Sequence, residues 1–230
     1  MSILQNVQAV RQRIEQSAFK SGRTGNDIRL VAVSKYASIG DGAIEALLAA
    51  GCDDLGEARP QLLLEKAGIY AEQPIRWHLI GPLQRNKVRK ILPVVSLIHS
   101  LDSLRLAEAI DRIADEEQLP SVRCLLEVAL SQDVSKQGIK PAEVLEVLDA
   151  LGSCKHIIVE GLMGMAGLES DDSQIRREFE LLRRTAESAR TRKLPSNIPL
   201  LELSMGMSDD FEIAIEEGAT IVRVGSLLYG

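Results

Sequence analysis

The sequence predicts an α/β protein built as a single (β/α)8 TIM-like barrel, and three observations lead to this prediction. Eight short runs of β-branched and aliphatic residues recur along the chain, and each is followed by a longer segment with helical periodicity. No Pro-, Gly- or Ser-rich linker divides the 230 residues. Such barrels typically contain about 250 residues, which is close to this length. An open, doubly wound sheet is the alternative.

The eight runs are the predicted strands, and the second and fourth have the weaker patterns. In chain order they span Ile28–Lys35, Asp54–Ala58, Ile75–Gly81, Leu97–Leu101, Val122–Leu130, His156–Met165, Pro199–Gly206 and Thr220–Gly225. Several of the helical segments begin at Asp or Ser, as a helix N-cap requires. These segments are Asp41–Ala50, Ser103–Gln118, Pro141–Leu151, Ser173–Arg190 and Asp209–Glu217.

A further helix, at about residues 3–20, precedes the first strand. Its apolar face is formed by residues three or four positions apart, namely Leu4, Val7, Val10, Ile14 and Ala18. Only five residues follow the eighth strand, so the helix after that strand is expected to be absent or one turn long. We therefore expect the N-terminal helix to fill the gap between the last strand and the first. The single domain then covers residues 1–230, with the barrel at about 28–230.

Composition and charge favour an ordinary globular protein that does not bind nucleic acid. Lys and Arg total 27 against 33 Asp and Glu, the formal charge is −6, and 45% of residues are hydrophobic. Three Phe, three Tyr and one Trp leave little aromatic surface on which bases could stack. The basic stretch QRNKVRK at 84–90 has no interleaved aromatic residue, so it is interpreted as a solvated helix face.

Neither a metal site nor an export signal is indicated. The three cysteines, Cys52, Cys124 and Cys154, are widely spaced with no CxxC motif, and the three histidines show no paired metal-ligand spacing. The N-terminal segment carries charged residues at positions 11, 13 and 15, where a signal peptide needs an apolar stretch. No apolar run approaches the ~18 residues that span a bilayer. We expect a reduced, cytoplasmic protein with no membrane insertion.

Lys35 is the first candidate functional residue, because barrel active sites lie at the carboxyl ends of the strands. It ends the first predicted strand and shares a face with Val31 and Val33. An amine in that position is expected to be partly desolvated, which makes its neutral form available to form a Schiff base with an aldehyde. From position alone, a lysine that simply extends into solvent is the more common outcome.

Two segments near the end of the chain have the composition of a phosphate site. They are SMGMSDD at 204–210 and RVGS at 223–226, which follow or end the last two strands. Gly206 and Gly225 let backbone N–H groups approach an anion, while Ser204, Ser208 and Ser226 offer hydroxyl groups. Each segment is equally compatible with a glycine turn capped by Ser or Asp.

Arg223 and His78 each allow two interpretations. Arg223 shares a strand face with Ile221 and Gly225, so its guanidinium needs a partner. That partner is either an interior carboxylate, at position 127, 160 or 202, or a ligand heteroatom that must stay unprotonated. His78 is either a hydrogen-bonded interior histidine, which is slightly favoured, or a wall of the site.

Motifs from end to end of the chain resemble the YggS/PROSC-like pyridoxal-phosphate homeostasis proteins. The matching stretches are LVAVSK at 30–35, LGEA at 55–58, WHLIGPLQRNK at 77–87, IHSLDS at 98–103, SKQGI at 135–139, GLMGMA at 161–166, LSMGMSDDFEIAIEEGAT at 203–220 and VRVGS at 222–226. The resemblance implies a barrel similar to the N-terminal domain of alanine racemase, a fold type III protein, without that enzyme's C-terminal β-domain. It also implies pyridoxal 5′-phosphate (PLP) as the cofactor.

The resemblance assigns roles to residues at the matching positions. Lys35 corresponds to the lysine that forms the Schiff base with PLP. Ser204, Met205, Gly225 and Ser226 correspond to the phosphate cradle, partly through backbone N–H groups. Arg223 would face the pyridine nitrogen, and His78 is retained as a candidate cofactor contact.

One position departs from the family pattern. Where the family usually has Gly-Glu-Asn, this chain has Gly56-Glu57-Ala58. The missing asparagine is expected to contact the cofactor beside its ring, so one polar contact is lost. Weaker retention of PLP than in relatives is therefore expected.

The resemblance implies a PLP-binding protein of vitamin B6 homeostasis that influences amino-acid and keto-acid balance. No catalytic residue is expected, since a guanidinium beside the pyridine nitrogen makes the ring a poor electron sink. One alternative is a low-activity amino-acid racemase, whose second base would be His78 or Tyr36. Another is a PLP-sensing interaction module that uses the basic 84–90 surface. Expected partners are PLP and PLP-recipient or regulatory proteins, and a monomer is expected.

Overall fold

The computed structural model describes residues 2–130, 138–167 and 169–230 and contains a closed barrel of eight parallel strands. The strands pair in chain order, and β8 pairs with β1 to close the ring. Their bounds, from β1 to β8, are Arg29–Val33, Asp54–Glu57, Arg76–Leu79, Leu97–Leu101, Val122–Val128, Ile157–Gly164, Glu202–Ser204 and Ile221–Val224. The predicted fold class is confirmed, including the second and fourth strands.

Helices separate the strands and cover the outside of the barrel. In the described residues, α1 to α9 span Ile3–Lys20, Ala43–Ala49, Pro60–Ile69, Val88–Ile91, Leu104–Glu116, Val144–Leu151, Asp172–Arg190, Phe211–Glu216 and Ser226–Tyr229. Short 3-10 turns occur at Gly25–Asp27, Ser34–Tyr36, Arg85–Lys87 and Pro141–Glu143. Part of the SKQGI motif, residues 135–137, lies outside the described residues.

Side-chain capping explains where the longer helices begin. The Ser2 hydroxyl accepts the Gln5 backbone N–H, and the Gln5 side chain accepts the Ser2 N–H, which forms a capping box at the start of α1. Asp171 and Gln174 form the same arrangement at α7. These caps satisfy N–H groups that have no partner within the helix.

The N-terminal helix occupies the predicted position beside the last elements of the chain. It packs on α2, α8 and α9, and its Asn6 side chain donates to the Leu228 carbonyl at 3.2 Å. Arg13 pairs with Glu212 of α8 at 2.8 Å. Leu4, expected on the apolar face, is instead exposed, and Ile3 beside it packs against the core in its place.

The barrel interior contains its own small apolar cluster. Val31, Leu97, Leu125, Met163 and Ile221 form a buried group that includes no helical residue. The alternation of side chains along a strand then directs residues two positions further on toward the carboxyl end of the interior. This places Val33, Glu127 and Arg223 at the carboxyl-end opening.

The first strand is shorter than predicted, which changes the placement of Lys35. β1 ends at Val33, and residues Ser34–Tyr36 form a 3-10 turn closed by the Ala37 N–H on the Ser34 carbonyl. The same carbonyl accepts Lys66 Nζ at 2.7 Å. Lys35 therefore lies on a turn just beyond the strand rather than at its last position.

The basic stretch at 84–90 forms exposed surface, as predicted. Arg85 and Lys90 are exposed, and Arg89 pairs with Glu116 and Glu117 at the end of α5. Among the described residues, no helix has the length and apolar character needed to cross a membrane.

Candidate functional site

A cavity of about 660 Å³ opens at the carboxyl ends of the strands. Four of the seven residues predicted to contact the cofactor line it together: Lys35, Arg223, Gly225 and Ser226. Its volume lies within the range of about 300–1,000 Å³ that is typical of small-molecule sites. Residues far apart in the chain thus share one opening, as the predicted barrel requires.

Lys35 reaches the cavity from the turn after β1. Its side chain is exposed, with Nζ 4.8 Å from the centre of the Tyr36 ring. The expectation of partial desolvation is therefore wrong for this structure, since the residue has left the strand. Tyr36 also contacts Tyr229 at 5.6 Å between ring centres, and the Tyr229 hydroxyl donates to the Val33 carbonyl at 3.1 Å.

Arg223 carries a buried guanidinium that, among the described residues, is hydrogen-bonded only to uncharged oxygens. The residue is 4% exposed; Nη1 donates to Ser204 Oγ at 2.6 Å and Nη2 to the Gly164 carbonyl at 3.2 Å. In the part of the chain that is described, no carboxylate oxygen lies within 4.0 Å of it. Burial lowers its pKa to about 10, although the charges of Asp210 and Glu127 oppose this shift. Pairing with an interior glutamate is thus not observed.

The loop after β7 is held in place by a serine and an aspartate. Ser208 Oγ accepts the Gly225 N–H at 3.1 Å, and Asp210 Oδ1 accepts the Met207 N–H at 2.5 Å. Gly206 has φ +94°, and a Cβ there would lie 2.6 Å from the Ala214 Cβ, so only glycine fits. The hydroxyl groups of Ser208 and Ser226 have no acceptor among the described residues, and both residues line the cavity.

Three other predicted residues lie outside the cavity lining. Ser204 is fully buried, with its hydroxyl between Arg223 and His99. Met205 is fully buried in the apolar core. His78 lies deeper in the barrel, where it is hydrogen-bonded to Asp54 at 2.9 Å. Contact between these residues and a cofactor stays a prediction.

Glu127 is a lining residue that the sequence analysis considered only as a partner for Arg223. It is 7% exposed, and its carboxylate has no hydrogen-bond partner among the described residues. Burial, with a contribution from Asp102, raises its pKa to about 7, and Arg223 opposes this shift. β5 stands opposite β1 in the ring of eight strands, so Glu127 lies across the barrel from Lys35. Its two-residue spacing from Leu125 was the signal for an inward direction.

Comparison with known proteins identifies the family. The family model described as the N-terminal domain of alanine racemase matches residues 3–230. The chain is 34% identical to a pyridoxal phosphate homeostasis protein of Aquifex aeolicus, covering 100% of this chain and 98% of that one. It is 35% identical to the protein of the same name from Pseudomonas aeruginosa, covering 100% and 95%. The chain belongs to the pyridoxal phosphate homeostasis protein family.

The barrel of this homeostasis-family protein is similar to those of solved structures. PipY of Synechococcus elongatus, solved with PLP bound, is 32% identical, with a TM-score of 0.85 and 100% coverage of both chains. An alanine racemase of Corynebacterium glutamicum shares the fold, with 19% identity and a TM-score of 0.68. The homeostasis-family chain covers 61% of that racemase, and 99% of its own length is matched.

Proposed function

We propose that this protein binds pyridoxal 5′-phosphate in the carboxyl-end cavity, with Lys35 as its Schiff-base lysine, and serves PLP homeostasis with little or no catalytic turnover. Through PLP it would influence amino-acid and keto-acid balance. One observation carries the proposal: a single cavity brings together an accessible amine, a buried guanidinium and two hydroxyl groups. Within the described part of the chain, the guanidinium has no carboxylate partner and the two hydroxyl groups have no acceptor. The names of the relatives and the PLP bound to PipY support it.

The residues at one side of the cavity fit a phosphate group. Ser208 and Ser226 provide hydroxyl donors. Gly225 has no side chain to occupy the space beside them, where a Cβ would lie 3.2 Å from the Tyr36 ring. Lys35 and Arg223 add positive charge to the cavity as a whole, which favours an anionic ligand. The side chains of Met205 and Ser204 lie outside the lining, and the Met205 N–H already donates to the Ile221 carbonyl at 3.1 Å.

Arg223 fits the other end of such a ligand. A guanidinium has five N–H donors, and only two of those in Arg223 have acceptors in the described residues. A pyridine nitrogen without a proton is a suitable acceptor, and the positive charge keeps it unprotonated. Bound PLP supplies an aldehyde for amines and, when its ring is protonated, an electron sink. By keeping the ring unprotonated, Arg223 leaves the aldehyde able to react with amines but makes the ring a weaker electron sink. This supports low turnover.

The cavity is accessible from solvent, and this supports exchange of the cofactor with other molecules. Lys35 and Tyr36 are both exposed beside the cavity, so water and other amines can reach the site. PLP-recipient or regulatory proteins are the partners we propose. The three cysteines are unpaired, which supports a cytoplasmic location. A monomeric state stays a prediction, which light scattering of the purified protein would check.

Absorbance spectroscopy tests the proposal directly. The native protein mixed with PLP should show the visible absorbance band of a Schiff base. Reduction with borohydride should then attach the PLP covalently to Lys35. Lys35→Ala should lose the band, whereas Lys90→Ala, which removes an exposed lysine of the basic stretch, should retain it. A native protein that shows no band with excess PLP would refute the proposal.

A low-activity amino-acid racemase is the second candidate, and Glu127 is the observation that favours it. A carboxyl group with a pKa of about 7 across the barrel from Lys35 is suited to accept or donate a proton. His78 lies outside the cavity, and Tyr36 is next to Lys35 rather than across from it. Turnover of L- or D-alanine that both Lys35→Ala and Glu127→Gln abolish would support this function; no turnover by the native protein would exclude it.

A further inference from the structure

Five buried polar side chains form a continuous line through the barrel interior. His78 Nε2 lies 2.9 Å from Asp54 Oδ1, and His78 Nδ1 lies 2.8 Å from His99 Nε2. His99 Nδ1 lies 2.9 Å from Ser204 Oγ, which in turn lies 2.6 Å from Arg223 Nη1. All five residues are buried, and they come from β2, β3, β4, β7 and β8. The line starts near the amino end of the barrel and ends in the cavity.

The Asp54 end of this line is an ionised acceptor. Arg76 donates to both carboxylate oxygens, at 2.9 and 2.7 Å. Burial opposes ionisation of Asp54, but the hydrogen bonds from Arg76 and His78 outweigh it and hold the pKa of Asp54 well below its usual range. An ionised carboxylate only accepts hydrogen bonds. His78 must therefore carry its ring hydrogen on Nε2.

Neutrality of the two histidines fixes every remaining hydrogen. Burial lowers the pKa of His78, and it lowers the pKa of His99 further, with the neighbouring Arg223 charge acting in the same direction. A neutral imidazole has one N–H and one acceptor nitrogen. His78 Nδ1 must then accept from His99 Nε2, and His99 Nδ1 must accept from the Ser204 hydroxyl. Ser204 Oγ remains the acceptor for Arg223.

The opposite direction is unfavourable at both ends. It would place the lone pair of His78 Nε2 against an Asp54 oxygen at 2.9 Å. It would also make Ser204 Oγ accept from both His99 and Arg223, which leaves the serine hydrogen without an acceptor among the described residues. A buried donor without a partner is costly.

We propose that Asp54, His78, His99 and Ser204 are positioning residues that form a one-way hydrogen-bond chain, with every donor pointing away from the cavity, to hold the Arg223 guanidinium. The direction of the chain is a property of the ligand-free protein. Its effect on PLP rests on the proposed function. Through this chain, the carboxylate at the amino end of the barrel directs the Ser204 hydrogen to His99, so that the lone pairs of Ser204 Oγ hold the Arg223 guanidinium in place.

Nitrogen NMR of the ligand-free protein, labelled with 15N in histidine, tests the direction. His156→Gln assigns the third histidine. We expect His78 and His99 each to show a single neutral ring with the hydrogen on Nε2 at pH 7. A hydrogen on Nδ1 of either ring, or a charged ring, would overturn the proposal. This result is independent of whether PLP binds.

A pair of variants tests the coupling to the cavity. Asp54→Asn keeps the shape but makes the end of the chain able to donate as well as accept, so the single tautomers should be lost. Asp53→Asn removes the same charge from a neighbouring side chain that is 45% exposed and 4.0 Å from Arg76. We expect the PLP dissociation constant to rise about tenfold for Asp54→Asn, the scale of one charge-assisted hydrogen bond, and to stay unchanged for Asp53→Asn.

Ser204→Ala provides a second test, at the cavity end, if Asp54→Asn fails to fold. It should also weaken PLP binding about tenfold. The His99 ring should no longer be held in a single tautomer, because Nδ1 loses its donor. Native PLP affinity in both Asp54→Asn and Ser204→Ala would overturn the coupling. A native protein that binds no PLP would refute the proposed function and leave the NMR result to decide the chain.

Discussion

The ammonium group of Lys66 lies 2.6 Å from the carboxylate of Glu57, and both side chains are buried. Lys66 Nζ also donates to the carbonyl and hydroxyl oxygens of Ser34, at 2.7 and 3.3 Å. The second Glu57 oxygen accepts the backbone N–H groups of Ala58 and Arg59, at 2.9 and 3.2 Å. This ion pair joins α3 to the carboxyl ends of β1 and β2, beside the turn that carries Lys35.

Lys66→Met should destabilise the protein by about 3–5 kcal/mol, because it leaves the Glu57 charge buried without a partner. Urea unfolding measures this change. Lys90→Met, at an exposed position, should stay within about 0.5 kcal/mol of the native protein. Adding Glu57→Gln to Lys66→Met should recover part of the loss, since the unpaired charge is removed. If Lys66→Met alone were as stable as the native protein, this account would be contradicted.

Ala58→Asn should slow the release of PLP. Ala58 lines the cavity at the position where the family usually has asparagine, and a restored polar contact is worth about 1–3 kcal/mol when the partner is otherwise unpaired. Stopped-flow absorbance after mixing with an excess of a PLP acceptor measures the dissociation rate. Ala71→Asn, at an exposed position, is the control. Equal rates for the native protein and Ala58→Asn would show that the missing asparagine is not what limits retention.

Periodicity predicted the barrel because it is a local signal repeated many times. Short aliphatic runs alternate with amphipathic helices, and the α1 bounds, Ile3–Lys20, follow directly from its spacing and Ser2 cap. Boundaries were less predictable. β7 spans only Glu202–Ser204 of the eight residues expected, and two residues after its end Gly206 turns the backbone with φ +94°.

The candidate site was predictable only where a residue's position in a strand gave its direction. Arg223 and Gly225 share a face with the interior residue Ile221, and the structure places both in the cavity. Lys66 could not be found this way, since a lysine on an amphipathic helix is ordinarily exposed. The hydrogen bond between Ser204 and His99 could not be predicted from the sequence either, since β4 and β7 meet only across the barrel interior.

Glu127 should make the stability of the ligand-free protein fall as pH rises. Its folded pKa of about 7 lies above the ordinary value of 4.5, so the native state binds more protons than the unfolded state between these limits. Stability from this group is therefore complete below about pH 4.5 and is lost as pH rises through 7.

Urea unfolding of Glu127→Gln and the native protein at several pH values isolates this contribution. The variant should gain on the native protein from pH 5 to pH 8, by up to about 3 kcal/mol. Glu65→Gln, which changes an exposed glutamate, controls for the loss of one negative charge. A difference between Glu127→Gln and the native protein that stays constant with pH would mean that Glu127 titrates normally.

Ser208 should recognise the phosphate group, and Ser204 should not. Ser208 Oγ accepts the Gly225 N–H at 3.1 Å, which leaves its own hydrogen free to donate into the cavity. The Ser204 hydroxyl is buried between Arg223 and His99 and does not reach the cavity. Ser208→Ala should therefore reduce the preference for PLP over pyridoxal by about tenfold, as expected for one hydrogen bond to a charged group. Ser204→Ala should weaken both ligands equally, because it acts through Arg223. Titration of each variant with the two aldehydes measures the ratio, and an unchanged ratio in Ser208→Ala would place the phosphate elsewhere in the cavity.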